Sequence, residues 1–200
     1  MNARQSSSIA ISLMATLAFV PAVSFAATYS GEAAALKATA LGINVALADT
    51  GALPSSGGNL TTSLARVNLL GLASADALSS STSGSGTSSQ SQSAVTDVSL
   101  LGGLVAADVV KSNSGASCGG STASVTGNSE VVRLMAAGQQ IVASNPNLSI
   151  SLPGGINLIV NEQTSSPSGG AGSITVNGLH VKGPGIDIVV GSAHSDITCP

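Results

Sequence analysis

Aromatic side chains are nearly missing from this sequence of 200 residues, which has no tryptophan, one tyrosine and two phenylalanines. Phe19 and Phe25 fall in a leader-like opening, so Tyr29 is the aromatic that remains beyond it. A core without rings must be built from Val, Ile, Leu and Ala. The same scarcity counts against a typical carbohydrate module, which stacks sugars on aromatic platforms. Charge is scarce as well. Six Lys or Arg and nine Asp or Glu give a net charge of −3, with no basic footprint for nucleic acid. No acidic loop of the calcium-binding type is present. No Gly-x-Ser-x-Gly elbow precedes a helix-like segment, which leaves a serine hydrolase unsupported. The glycine pairs at 102–103, 119–120 and 169–170 lack the Lys-Ser/Thr of a phosphate loop. Nothing implies a cofactor.

What is present begins with an export signal. Arg4, the short apolar run Ile9 to Val20 and the small residues of Ser24-Phe25-Ala26 come in the order of a secretory signal peptide. Cleavage is expected between Ala26 and Ala27. A buried N-terminal helix is the alternative. No later run is long and apolar enough to span a bilayer as a helix. Two cysteines, Cys118 and Cys199, fit an oxidising compartment and are expected to pair, free thiols or an intermolecular bond being the alternatives.

The stretch 147–198 sets the grammar of the chain. Leu148, Ile150 and Leu152 alternate with serines, and Ile156, Leu158 and Val160 resume the alternation after Pro153-Gly154-Gly155. A loop over 163–172 is expected next, then strand-like sequence around Ile174, Val176, Leu179 and Val181. Gly183-Pro184-Gly185 leads to Ile186, Ile188 and Val190. A two-residue period rich in β-branched residues predicts strands, and Pro/Gly breaks predict tight antiparallel hairpins.

Two repeats extend this pattern. Gly-Ile-Asn/Asp followed by apolar alternation occurs at Gly42, Gly155 and Gly185. The Gly71-to-Asp76 spacing recurs as Gly103-to-Asp108. Uneven intervals argue against a solenoid. Ala33–Leu41 and Glu130–Ala143 have helix-forming composition, yet the second shares a Leu134-x-x-x-Gly138-x-x-Ile141 spacing with Ile174-x-x-x-Gly178-x-x-Val181. Both are read as strands. Residues 79–94, rich in Ser and Gly, are read as a flexible loop joining two strands because they lack apolar surface to bury.

From Val98 onward the chain resembles the choice-of-anchor P family of exported bacterial surface proteins. The residues are Ser99-Leu100-Leu101-Gly102-Gly103-Leu104 with Asp108, Pro146-Asn147 leading to Leu152-Pro153-Gly154, Asn161-Glu162-Gln163, and Ile174 to Val181. The resemblance implies an exported, β-rich protein and transfers no activity. The Leu152-Pro153-Gly154-Gly155 segment begins like a sortase signal but is read as a turn. The end at Thr198-Cys199-Pro200 carries no apolar tail, so secretion without a C-terminal anchor is expected.

Candidate chemistry is thin. His180 and His194 are the two histidines. A metal or catalytic pair would need the strands to bring them together beside Asp187 or Asp196. Glu162 is an acid at a strand end without a second acid close in sequence. Asp76 and Asp108 read as structural. The expectation is an all-β, antiparallel, sandwich-like single domain over 27–200, following a signal-peptide helix over 1–26. Its first functional reading is a non-enzymatic secreted or cell-surface structural or interaction protein of bacterial origin. Self-association through strand edges or contact with the cell envelope is compatible with it. The alternative is a secreted enzyme or metal-binding protein using Glu162, His180 and an aspartate.

Overall fold

In the computed structural model, residues 27–40, 42–143 and 145–200 are described. Alternation of Val, Ile, Leu and Ser sets almost all of them as strand. In chain order these are β1 Thr28–Ala40, β2 Ile43–Asp49, β3 Gly58–Leu64, β4 Val67–Leu69, β5 Ala73–Ala75, β6 Ala77–Ser85, β7 Ser88–Leu100, β8 Val105–Gly119, β9 Thr122–Val132, β10 Leu134–Ala136, β11 Gln139–Ile141, β12 Leu148–Leu152, β13 Ile156–Ser168, β14 Ala171–Gly183 and β15 Ile186–Thr198. The first sheet has the order β12-β13-β14-β15-β1-β2. The second is centred on β3-β6-β7-β8-β9, and the hairpins β4-β5 and β10-β11 extend one end of it. Every pairing is antiparallel, as the Pro/Gly hairpins required. The two sheets face each other as a β-sandwich. The predicted leader lies outside the described residues, and β1 starts one residue beyond Ala27.

Several long strands break their own two-residue period. In β7 the buried positions run Ser89, Ser91, Ser93, Val95, and then Val98 and Leu100. Thr96 and Asp97 both face away, and Asp97 takes a positive φ of 52°. In β8 the skip falls between Ala107 and Val110, and across β5 and β6 between Ala75 and Leu78. The register aligns these skips, so Asp76, Asp97, Asp108 and Arg133 form one row. The first sheet bends the opposite way. Gly178 and Leu179, Gly191 and Val190, and Ala35 and Leu36 are consecutive residues that all turn inward. Asn161, Gly191 and Ala48 have positive φ in that row. One sheet therefore bulges into the recess of the other.

This crease explains the repeats. Gly71 and Gly103 sit in hairpin turns, and Asp76 and Asp108 each fall five residues later in the crease row. Asn44, Asp187 and Asn157, the polar residues of the Gly-Ile-Asn/Asp copies, share one row across the first sheet. The match between Gly138 and Gly178 is not structural: Gly138 is a turn residue with φ of 77°, whereas Gly178 lies inside β14.

Two expectations are corrected. Residues 79–94 are not a loop: they form most of β6 and β7, paired from Ala77 opposite Thr96 to Ser85 opposite Ser88. The 163–172 loop is likewise strand, broken only by a two-residue turn at Gly169-Gly170. Ladder bonds need no apolar side chain. Each of these strands also continues into a hydrophobic half, where Leu78, Val95 and Leu100 are almost fully buried. That half anchors the serine half.

The core is accordingly polarised. Leu100, Val105, Val110, Leu158, Leu179 and Ile188 fill one end. Buried Ser89, Ser91, Ser112, Ser114 and Ser195 line the interior towards the other. There Ser89 Oγ donates to Ser30 O at 3.0 Å, Ser91 Oγ donates to His194 O at 2.6 Å, and Ser114 and Ser195 share a hydroxyl bond at 2.9 Å. These bonds stitch sheet to sheet. Four further hydroxyls, those of Ser80, Ser93, Ser112 and Ser129, are buried without a partner among the described residues. They form one row across β6, β7, β8 and β9. Ser112 lies against Gly178 and Gly191, where space rather than polarity demands a small side chain. At the serine end Cys118 and Cys199 form the expected disulfide, with Cα atoms 5.6 Å apart, and join the two sheets.

Two stability outcomes follow from this packing. A Cβ at Gly178 would press into Val110 Cγ1, so Gly178→Ala should lower stability by about 1–3 kcal/mol in urea unfolding. Ser112→Ala, which removes an unpartnered hydroxyl, should be neutral or stabilising. A neutral Gly178→Ala would refute the close approach. Cys118→Ser should lower stability by about 4 kcal/mol on the chain-entropy model. An unchanged midpoint under oxidising conditions would count against that contribution.

Candidate functional site

The outer face of the first sheet carries the candidate chemistry, and the crease assembles it. Because Gly178 and Leu179 both turn inward, Asn177 and His180 are successive outward residues of β14. Glu162 lies opposite Asn177 on β13. Asp187 lies opposite Lys182 on β15. His180 thus sits between two acids that are distant in sequence. Its Nδ1 donates to Glu162 Oε2 at 2.6 Å and its Nε2 donates to Asp187 Oδ1 at 2.9 Å. A carboxylate only accepts, so both bonds together need a hydrogen on each ring nitrogen. Asn177 Nδ2 donates to the same Glu162 oxygen at 2.7 Å, and Lys182 Nζ stands 3.6 Å from the other.

Burial separates the two acids. His180 is 8% exposed, whereas half of the Asp187 side chain is open to solvent. Burial by itself raises the Glu162 carboxyl. The hydrogen bonds from Asn177 and His180, with the positive charges of His180 and Lys182, outweigh that and hold it below its ordinary value. Glu162 is therefore a stabilised anion. Beside Asp187 the surface dips into a depression of about 330 Å³, bounded also by Lys37, Thr39 and Asn44.

His194 does not join this cluster. It faces outward from β15 five residues beyond Val189, the partner of His180, or roughly 16 Å along the strand. Its Nδ1 meets Thr175 Oγ1 at 2.8 Å and its Nε2 lies 3.5 Å from Asp196. Asp196 is held in turn by the backbone N–H and hydroxyl of Ser30, at 2.8 and 3.0 Å. The pair that a shared metal or catalytic site would need is not formed, and the two histidines belong to two separate polar clusters. Among the described residues, no group of three or more His, Cys, Asp or Glu is disposed to hold a metal ion. Asp76 is paired with Arg66 and Asp108 with Arg133, all largely at the surface, where such pairs contribute little.

Sequence reasoning singled out Glu162, His180 and Asp187 but missed Asn177 and Lys182. Asn177 and His180 are three residues apart, a spacing that strict alternation puts on opposite faces.

The depressed Glu162 value fixes a pH dependence. Its stabilisation is present above the ordinary carboxylate range and is lost as pH falls below about 5, towards the folded-state value. Thermal melts between pH 7 and pH 3 should show a smaller acid loss in Glu162→Gln than in the parent. Equal slopes would contradict the assignment.

No family model, no curated protein and no solved structure matches this chain.

Proposed function

We propose that this chain is a non-enzymatic, exported scaffold or interaction protein of the bacterial cell exterior. The observation that carries the reading is the occupancy of His180. Both ring nitrogens are taken by carboxylates, and the better buried carboxylate is taken in turn by Asn177 and Lys182. A general base needs a free lone pair aimed at a substrate, and a metal ligand needs one aimed at the ion. Here the bonding capacity is spent within the cluster, which clasps β13, β14 and β15 across the crease.

Export is supported by the disulfide, which suits an oxidising compartment. In the described residues no helix is long and apolar enough to cross a membrane. The leader-like opening and the resemblance to choice-of-anchor P proteins point the same way.

A second reading has one observation in its favour: Glu162, His180 and Asp187 do converge, and Asp187 borders a depression. A turn of the exposed Asp187 side chain would leave His180 Nε2 without its acceptor, and loss of the hydrogen on that nitrogen would then open a lone pair to a substrate or an ion.

Calorimetric titration of the mature protein with zinc separates the two readings. The scaffold reading expects no one-to-one isotherm, and His180→Ala should lower stability by about 1–3 kcal/mol by stranding Glu162. A stoichiometric isotherm abolished in His180→Ala would sink it in favour of the second reading.

A further inference from the structure

We propose that the outer face of the second sheet binds an uncharged, polyhydroxylated polymer, a neutral glycan chain, along a groove across β3, β6, β7, β8 and β9. This rests on the interaction reading above and supplies its partner class. Two adjoining depressions of about 300 and 750 Å³ share Ser81, Gln92 and Asn113 in their walls. Their size is that of ligand sites, roughly 300–1,000 Å³. The register places Thr61, Ser81, Gln92, Asn113 and Asn128 in a single row across five strands. Gly115 lies one outward position along β8 from Asn113 and presents no side chain, which deepens the floor.

The groups in this groove are unspent. Among the described residues, the side-chain hydrogen bonds of β6 and β7 run from Thr82, Ser88, Ser89 and Ser91, and not from Ser81, Ser83, Gln90 or Gln92. Those of β8 involve Ser114 and Ser117, and not Asn113. The outer face of the first sheet differs, since its polar residues bond to one another, as in Thr39 with Asn44 and Ser149 with Asn157. On the second sheet such bonds lie away from the row, as in Ser117 with Ser124, and the groove groups themselves are left open.

The chemistry of the open face selects the ligand. Hydroxyl and carboxamide groups both donate and accept, which suits a partner whose hydroxyls do the same. Lys111, in the wall of the larger depression, faces Glu130 at 3.5 Å, so an acidic polymer meets there a cation that is already paired. No aromatic or large aliphatic side chain lines the groove, which excludes an apolar ligand. A peptide cannot add as a strand over β6, β7 or β8, because each is paired on both sides. Without stacking, each sugar contributes little, so binding gathers strength along a chain.

Native affinity electrophoresis in gels containing dextran, hydroxyethyl cellulose or galactomannan tests this, with alginate as the acidic control. The parent protein should be retarded by at least one neutral polymer and not by alginate. Gln92→Ala/Asn113→Ala should lose the retardation, and so should Gly115→Val, which fills the floor from a solvent-facing position. Asn44→Ala, on the other sheet, should keep it, and thermal melts should show all three variants folded. Retardation by alginate alone, by no polymer, or undiminished in both groove variants overturns the proposal. Retardation lost only in Asn44→Ala would overturn the groove while leaving the interaction reading standing.

Discussion

Everything in this sandwich depends on how closely the two sheets meet at the crease. Val110 and Ser112 of the second sheet lie against Gly178 and Gly191 of the first, with no room for a Cβ at Gly178. A sheet that turns two consecutive residues inward must make one of them minimal, and a partner sheet that follows must turn two outward. Glycine, alanine and residues that tolerate positive φ are placed in rows by that demand. Protein interiors are packed as tightly as organic crystals, so a break of period in one sheet forces a matching break in the other.

The same constraint makes sense of a core that is oily at one end and mixes serine hydroxyls with aliphatic residues such as Val176 and Ile197 at the other. Large aliphatic residues supply the burial that holds the sheets together. Beyond the crease, serine supplies small volume and, at Ser89, Ser91 and Ser114, hydrogen bonds to the opposite sheet. The row of unpartnered serine hydroxyls shows that size outranked polarity there. A disulfide at the serine end adds covalent closure to the burial of Ile174, Val176 and Ile197 there.

The crease also builds a partly buried ionic cluster. It puts Asn177 and His180 on the same outer face, and so lets Glu162 and Asp187 grip the imidazole from two strands. The result is a closed polar network whose members satisfy one another. The second sheet carries ion pairs too, Arg66 with Asp76, Lys111 with Glu130 and Arg133 with Asp108, but its row of hydroxyl and carboxamide groups from Thr61 to Asn128 is uncharged.

Residue order alone fixed the class of fold. The alternation of Leu148 to Val160, the Pro/Gly turns at 153–155 and 183–185, and the pairing of two cysteines were readable because each depends on neighbouring residues or on elimination. Ala33–Ala40 was readable as strand despite its helical composition, and so was most of 130–141, which holds the end of β9 and the short hairpin β10-β11. The serine-rich segment was not, because its place in the sheet comes from ladder bonds to β3 and β8 and from the aliphatic half of its own strands. Glu162, His180 and Asp187 could be named one at a time. Their convergence, the exclusion of His194 and the open groove on the other face were decided only by the tertiary structure, since the crease and the register are properties of paired strands and not of any one stretch of chain.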